Sequence, residues 1–142
     1  MRGKSRLPVS VLVDRREEER VIHLVYVFKP TVKARANVAE FWDWVRARDL
    51  WFYDGLDMAH DPRWYVRTIG PEVHALEHSI SFEDEAAWGT YRAAVALRSK
   101  EPDWERRRTE QEQWWEILEA RILSDAPVPR RATLRRSRTD VA

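Results

Sequence analysis

The residues best suited to chemistry in this chain are His23, Glu77 and His78. Glu77 and His78 are adjacent in the run Val73–Phe82, and His23 lies in the apolar run Val21–Phe28. A histidine beside a carboxylate can act as a general base, because its pKa lies near neutrality and moves with its surroundings. His23, His78 and Glu77 therefore form the candidate catalytic set. The competing reading of His23 is a core histidine hydrogen-bonded to backbone or to an acid. For Glu77 it is an ion pair with Arg67 or Arg121, since a buried carboxylate is costly unless paired. His74 and His78 share a strand parity four residues apart, which raises a metal pair as a reading. No third and fourth ligand can be named, so no metal site is assigned. Tyr26, Trp42, Trp64, Tyr65, Arg67 and Trp115 are the candidate substrate-binding residues. Core or interface packing competes for each aromatic taken singly, but as a set they favour a flat aromatic ligand over a sugar or a phosphate.

Several chemistries are excluded. The chain has no cysteine, which removes disulfides, thiol catalysis and thiolate metal sites. It has only four glycines, and neither a phosphate loop nor a dinucleotide fingerprint is among them. No nucleophile-elbow serine occurs.

The elements that must position these residues follow from patterning. Val21–Phe28 is apolar on both parities and reads as a central strand. Residues 31–36 read as a loop. Asn37-Val38-Ala39-Glu40 has the form of a capping box, and Val38, Phe41, Trp42 and Val45 continue with helical period to about Asp49 or Trp51. An aromatic loop from Phe52 to Pro62 carries Tyr53, Met58 and His60. Trp64–Ile69 and Val73–Phe82 read as strands around the Gly70-Pro71 turn. On the later one the even positions, from His74 to Phe82, form the apolar face. Glu83, Asp84 and Glu85 favour a helix N-terminus, and Ala87, Trp88, Tyr91, Ala94 and Val95 form its stripe. Pro102 breaks this helix and opens a charged segment. Trp115–Leu123 is the last strand, again apolar on both parities. The order is β-α-β-β-α-β, a ferredoxin-like α+β arrangement: a four-stranded antiparallel sheet with helices on one face.

Composition bounds the rest. A chain of 142 residues, 44% apolar and 35% charged, suits one domain with one core. Eight tryptophans exceed what one small core is expected to hide, which suggests a pocket or partner surface. The net charge of +1 conceals an acidic body: residues 7–126 carry 17 basic and 23 acidic side chains. That argues against a nucleic-acid-binding core. The arginine-rich stretch from Arg130 to Arg138 reads as a solvated tail. Residues 1–18 read as a weakly structured arm in which Val9–Val13 could add a short edge strand, 19–126 as the domain, and 127–142 as a flexible basic tail. Leu7–Val13 is too short for a signal segment, and no apolar run is long enough to span a membrane. A cytoplasmic location is expected.

The junction Glu77-His78-Ser79-Ile80-Ser81-Phe82-Glu83-Asp84-Glu85-Ala86-Ala87-Trp88 resembles that of dimeric α/β-barrel proteins. Glu101-Pro102-Asp103-Trp104 is similar to the Asp-Pro-x-Trp pattern of the NIPSNAP-like group, with Glu101 in place of the leading acid. The resemblance covers residues 19–126 and extends to the antibiotic-biosynthesis-monooxygenase group. It implies a homodimer through the open sheet face, and a pocket between helices and concave sheet. It also implies a small cofactor-independent enzyme of secondary metabolism, acting on an aromatic or polycyclic intermediate by oxygenation, cyclisation or isomerisation. Haem is the alternative cofactor, since one histidine suffices as its axial ligand, although haem members of the superfamily are usually longer. The alternative function is a non-catalytic dimeric ligand-binding or protein-interaction module.

Overall fold

The computed structural model describes residues 21–128. The N-terminal arm, the short edge strand expected at Val9–Val13 and nearly all of the C-terminal tail lie outside the described residues. Val21–Ser124 form one compact unit.

The element order is β1 (Ile22–Pro30), α1 (Val32–Ala36), α2 (Val38–Phe52), β2 (His60–Val66), β3 (Leu76–Phe82), α3 (Glu85–Arg98), α4 (Pro102–Thr109), a short 3-10 turn (Glu110–Gln113) and β4 (Trp115–Ser124). The four strands form one antiparallel sheet in the order β2-β3-β1-β4. This is the ferredoxin-like arrangement the sequence predicts.

The helices cover one face of the sheet. β1 contributes Leu24 and Phe28 to it, and β3 contributes Leu76, Ile80 and Phe82. Paired residues on neighbouring antiparallel strands share a face, and the register Leu24↔Ile80 and Phe28↔Leu76 aligns these apolar positions. Phe41, Val45 and Phe52 of α2 and Tyr91 of α3 close the core from above. All eight tryptophans pack in or against these clusters, Trp114 and Trp115 fully buried and the other six half-buried. Only two of the eight are thus hidden outright, as composition suggested.

Local differences from the sequence reading have local causes. Residues 31–36 are not a loop: Thr31 accepts a hydrogen bond from the Ala34 amide at 3.2 Å and starts α1. Five residues are too few to show a helical period. The capping box at Asn37 does not form, because Asn37 also ends α1 and its amide donates to the Lys33 carbonyl at 3.0 Å. The buried stripe of α2 is Phe41, Val45, Arg48 and Phe52, while Val38 is exposed. The second strand begins at His60 and ends at Val66, with a register break between His60 and Arg63. Pro62 falls in that break, and only an edge strand such as β2 tolerates it. The third strand starts at Leu76, so His74 is not on its face. His74 lies in the β2–β3 connection at φ 78°, so it does not share the strand face of His78 as the sequence suggested. β4 is an edge strand, exposed from Glu116 through Leu123 despite its apolar parities. Asp84 caps α3 as its charge suggests, accepting from the Ala87 amide at 2.8 Å.

Candidate functional site

β1 and β4 on one side, and α2 and α3 on the other, leave a cleft of about 610 Å³ under the helices. This falls within the roughly 300–1,000 Å³ of small-molecule sites. Its sheet wall includes Tyr26, Phe28 and Trp115, and its helix wall includes Trp88, Tyr91 and Val95. Ile117 and Ile122 continue the apolar wall onto the edge strand, where they remain 60% and 39% exposed.

Arg48 and Tyr53 form the polar floor. Arg48 occupies an apolar position of the α2 stripe and is only 5% exposed. Its Nε donates to Gln111 Oε1 at 2.8 Å, and its Nη1 donates to Asp49 Oδ1 at 3.0 Å and to the Tyr53 hydroxyl at 3.4 Å. The guanidinium plane lies 4.0 Å from the Phe52 ring centre and 5.6 Å from that of Trp115. Such stacking suits a cation held away from water.

The Tyr53 hydroxyl is 2.7 Å from His78 Nε2, and His78 Nδ1 is 2.9 Å from the Arg63 carbonyl oxygen. A carbonyl can only accept, so Nδ1 carries the proton. Nε2 is then the acceptor, and Tyr53 donates to it. Trp64 stacks on the imidazole at 3.9 Å between ring centres and donates its indole N–H to Asp49 Oδ2 at 2.8 Å. The result is a directed chain from Arg48 through Tyr53 and His78 to the backbone of β2.

Burial sets its protonation. His78 is pushed down from 6.5 to about 4, first by desolvation and then by the Arg48 charge, with Asp49 opposing. Tyr53 is pushed up from 10.0 to about 12 by desolvation, against the pull of Arg48. Burial also raises Tyr26 and Tyr91. Phenol and imidazole are therefore both neutral at pH 7.

The predicted site residues divide between the two faces of the sheet. His78 and Tyr26 are register partners on the helix-covered face, with Trp115 on the same side. Trp42 and Trp64 support that face, meeting edge-on at 6.1 Å, without lining the cleft. His23 lies on the other face: it pairs with Ser81, and its Nδ1 is 2.9 Å from the Ser81 hydroxyl oxygen. Glu77 is on that second face too, opposite Val27 and Tyr65. His23 is four register positions from Glu77, about 13 Å along the strand. The expected meeting of His23 with His78 or Glu77 does not occur. Arg67 donates twice to Glu77 Oε2, at 3.0 and 2.9 Å, and also to the Pro71 carbonyl. Arg67 and Glu77 are thus an ion pair outside the cleft, and Tyr65 is half exposed outside it.

Sequence reasoning missed Arg48, Asp49 and Gln111 as site residues, and placed Tyr53 only in an aromatic loop. The one signal for Arg48 was its spacing, i+7 from Phe41 and i−4 from Phe52, which puts it on the apolar stripe. Among the described residues no group of three histidines and carboxylates is placed to hold a metal ion. Both ring nitrogens of His78 are already hydrogen-bonded within the protein. No described helix is long and apolar enough to cross a membrane.

No family model matches the sequence, and no curated protein matches it. Solved structures do. A NIPSNAP family protein from Agrobacterium tumefaciens aligns with a TM-score of 0.55 at 15% identity, over 75% of this chain and 86% of its own. A second one from the same organism, of unknown function, gives 0.56 at 14% identity, over 76% and 90%. A NIPSNAP-like domain protein from Burkholderia xenovorans gives 0.50 at 12%, over 79% and 88%. The chain shares the fold of these proteins. In this chain the Glu101-Pro102-Asp103-Trp104 stretch is structural: Glu101 precedes α4, Pro102 opens it, and Trp104 packs 5.2 Å from Phe52 between ring centres.

Proposed function

We propose that the domain is a small enzyme of secondary metabolism that isomerises or cyclises an aromatic or polycyclic substrate in this cleft, without a cofactor. The observation that carries the reading is the Arg48–Tyr53–His78 chain at the floor of an aromatic cleft. A carbonyl substrate would place its oxygen near Arg48, whose fixed charge stabilises the enolate that forms. The substrate C–H proton passes to the Tyr53 oxygen as the tyrosine proton passes to His78 Nε2. The imidazolium is held through Nδ1–H by the Arg63 carbonyl, and its new charge is balanced by the enolate. Return of the proton at another carbon, or attack of the enolate carbon on a second carbonyl, completes the reaction. Tyr26 and Trp115 hold the rings. A homodimer through the second sheet face, which carries Tyr65 and Leu123 about half exposed, and a cytoplasmic location belong to the same reading.

One observation favours a non-catalytic ligand-binding module instead. With Tyr53 near 12 and His78 near 4, the resting chain keeps its proton on the phenol and serves as a hydrogen-bonded support. The experiment is native mass spectrometry to identify a bound small molecule and the subunit count, followed by turnover of that molecule and of aromatic ketones. Tyr53→Phe is expected to lower turnover roughly 100-fold or more while binding persists. Binding without turnover in the unaltered protein would leave the module reading standing.

A further inference from the structure

The cleft is segregated by charge as well as by polarity. Val21–Ser124 carry 14 basic and 18 acidic side chains, so a random lining would include acids. The lining contains Arg48, Arg92, Arg108 and Arg121 and no aspartate or glutamate. Three of these arginines are tied to carboxylates just outside the cleft: Arg48 to Asp49 at 3.0 Å, Arg108 to Glu105 at 2.6 Å, and Arg121 to Glu119 at 2.9 Å. Arg121 also shares the parity of Glu119, so its side chain belongs to the second face of the sheet by register. Arg92 differs from all three. It is exposed on α3, one turn after Trp88 and one turn before Ala96, so all three share the helix face that lines the cleft. Its guanidinium lies over the Trp88 ring at 4.9 Å, and no carboxylate among the described residues lies within ion-pair distance.

Resting on the cleft reading above, we infer that the ligand is a planar aromatic anion, and that Arg92 at the mouth is the residue that selects its negative charge. Stacking on Trp88 fixes the guanidinium plane while leaving its N–H groups open to a carboxylate, sulfonate or phenolate. The ring system lies deeper, between Trp115 and Tyr26 on one side and Val95 on the other, with Ile117 and Ile122 as the apolar edge. The anion thus remains near water, where it is cheaply solvated, while the rings are buried.

The test uses two probes of similar shape: the anion 1-anilinonaphthalene-8-sulfonate and neutral N-phenyl-1-naphthylamine. Both are titrated into the full chain by fluorescence at low and at raised salt. The sulfonate is expected to bind more tightly than the neutral probe, and only its affinity should fall with salt. Arg92→Gln should cost the sulfonate about fivefold and leave the neutral probe unchanged. Arg46→Gln, which removes an exposed arginine paired with Asp43 away from the cleft, should alter neither. Equal affinities for the two probes, or an equal loss of both in Arg92→Gln, would overturn the anion inference while leaving an aromatic cleft in place. Failure of both probes to bind would overturn the cleft reading and this inference together.

Discussion

The two faces of the sheet carry nearly the same chemical inventory and put it to opposite uses. The helix-covered face holds a histidine, an arginine with its carboxylate, and tyrosines. So does the second face, with His23, Arg67–Glu77 and Tyr65. On the covered face these groups join into one directed chain beneath a cleft. On the second face His23 meets Ser81 and Glu77 meets Arg67, four register positions apart along the strand. Residue type alone therefore does not make a site. What distinguishes the two sets is the burial of the polar groups: His78 and Arg48 are 1% and 5% exposed under the helix layer, where each polar atom must find a partner, while Arg67 and Glu77 stay partly exposed on a face whose Val25 and Val27 are also buried.

The sharpest way to break this comparison is to delete the arginine from each face. Arg48→Ala removes the donor to Gln111 Oε1, Asp49 Oδ1 and the Tyr53 oxygen in a largely dry site. It should destabilise the fold by about 3 to 5 kcal/mol. Arg67→Ala removes a more accessible pair, with side-chain exposures of 15% and 30%. It should cost about 1 kcal/mol. Urea unfolding of both variants measures the difference, and equal losses would mean that the covered face is not the drier one.

The next expected effect is a pH dependence that comes from His78 on the covered face. His78 titrates near 4 in the folded chain against 6.5 when its surroundings are lost. Between those values the unfolded chain binds the extra proton. The stabilising contribution is therefore complete above pH 6.5 and declines as pH falls through 4. Going from pH 7 to pH 5 should cost about 2 kcal/mol through this group. His78→Gln does not titrate, so the stability gap between it and the unaltered protein should shrink by that amount over the same interval. Urea midpoints at both pH values read this out. A gap independent of pH would mean that the imidazole is not held neutral.

The division between faces also explains what the sequence could and could not reveal. The even parity of β3 marked Leu76, His78, Ile80 and Phe82 as one buried face, and that is where they lie. β1 offered no such guide. Its residues are apolar on both parities because it is central, so nothing local assigned His23 to a face. Only the pairing His23↔Ser81 does so, and it depends on two strands 58 residues apart. Arg48 was hidden for a different reason. An arginine within a helical stripe reads as a solvent position until the partners that bury it are known, and Gln111 is 63 residues away. Glu77–Arg67 was foreseeable as a pair because both flank one turn. Its remoteness from the cleft follows from parity, and the adjacency of Glu77 to His78 concealed it: neighbours in a strand point to opposite faces.

The smallest effect tests how completely the covered face satisfies its polar atoms. Trp64 and Trp104 both pack against this core, but their indole N–H groups differ. Trp64 donates to Asp49 Oδ2 at 2.8 Å, whereas the Trp104 N–H is buried with no hydrogen-bond partner. Replacing either with phenylalanine removes similar apolar area. At Trp64 the change also strips a donor from Asp49, and it should cost about 2 to 4 kcal/mol. At Trp104 the lost packing against Phe52 and Trp51 is offset by removal of an unsatisfied donor, which itself costs about 1 to 3 kcal/mol. Trp104→Phe should therefore change stability by no more than about 1 kcal/mol in either direction. Urea midpoints of the two variants make the comparison at constant chemistry. A Trp104→Phe loss as large as that of Trp64→Phe would show that the Trp104 N–H has an acceptor in solution.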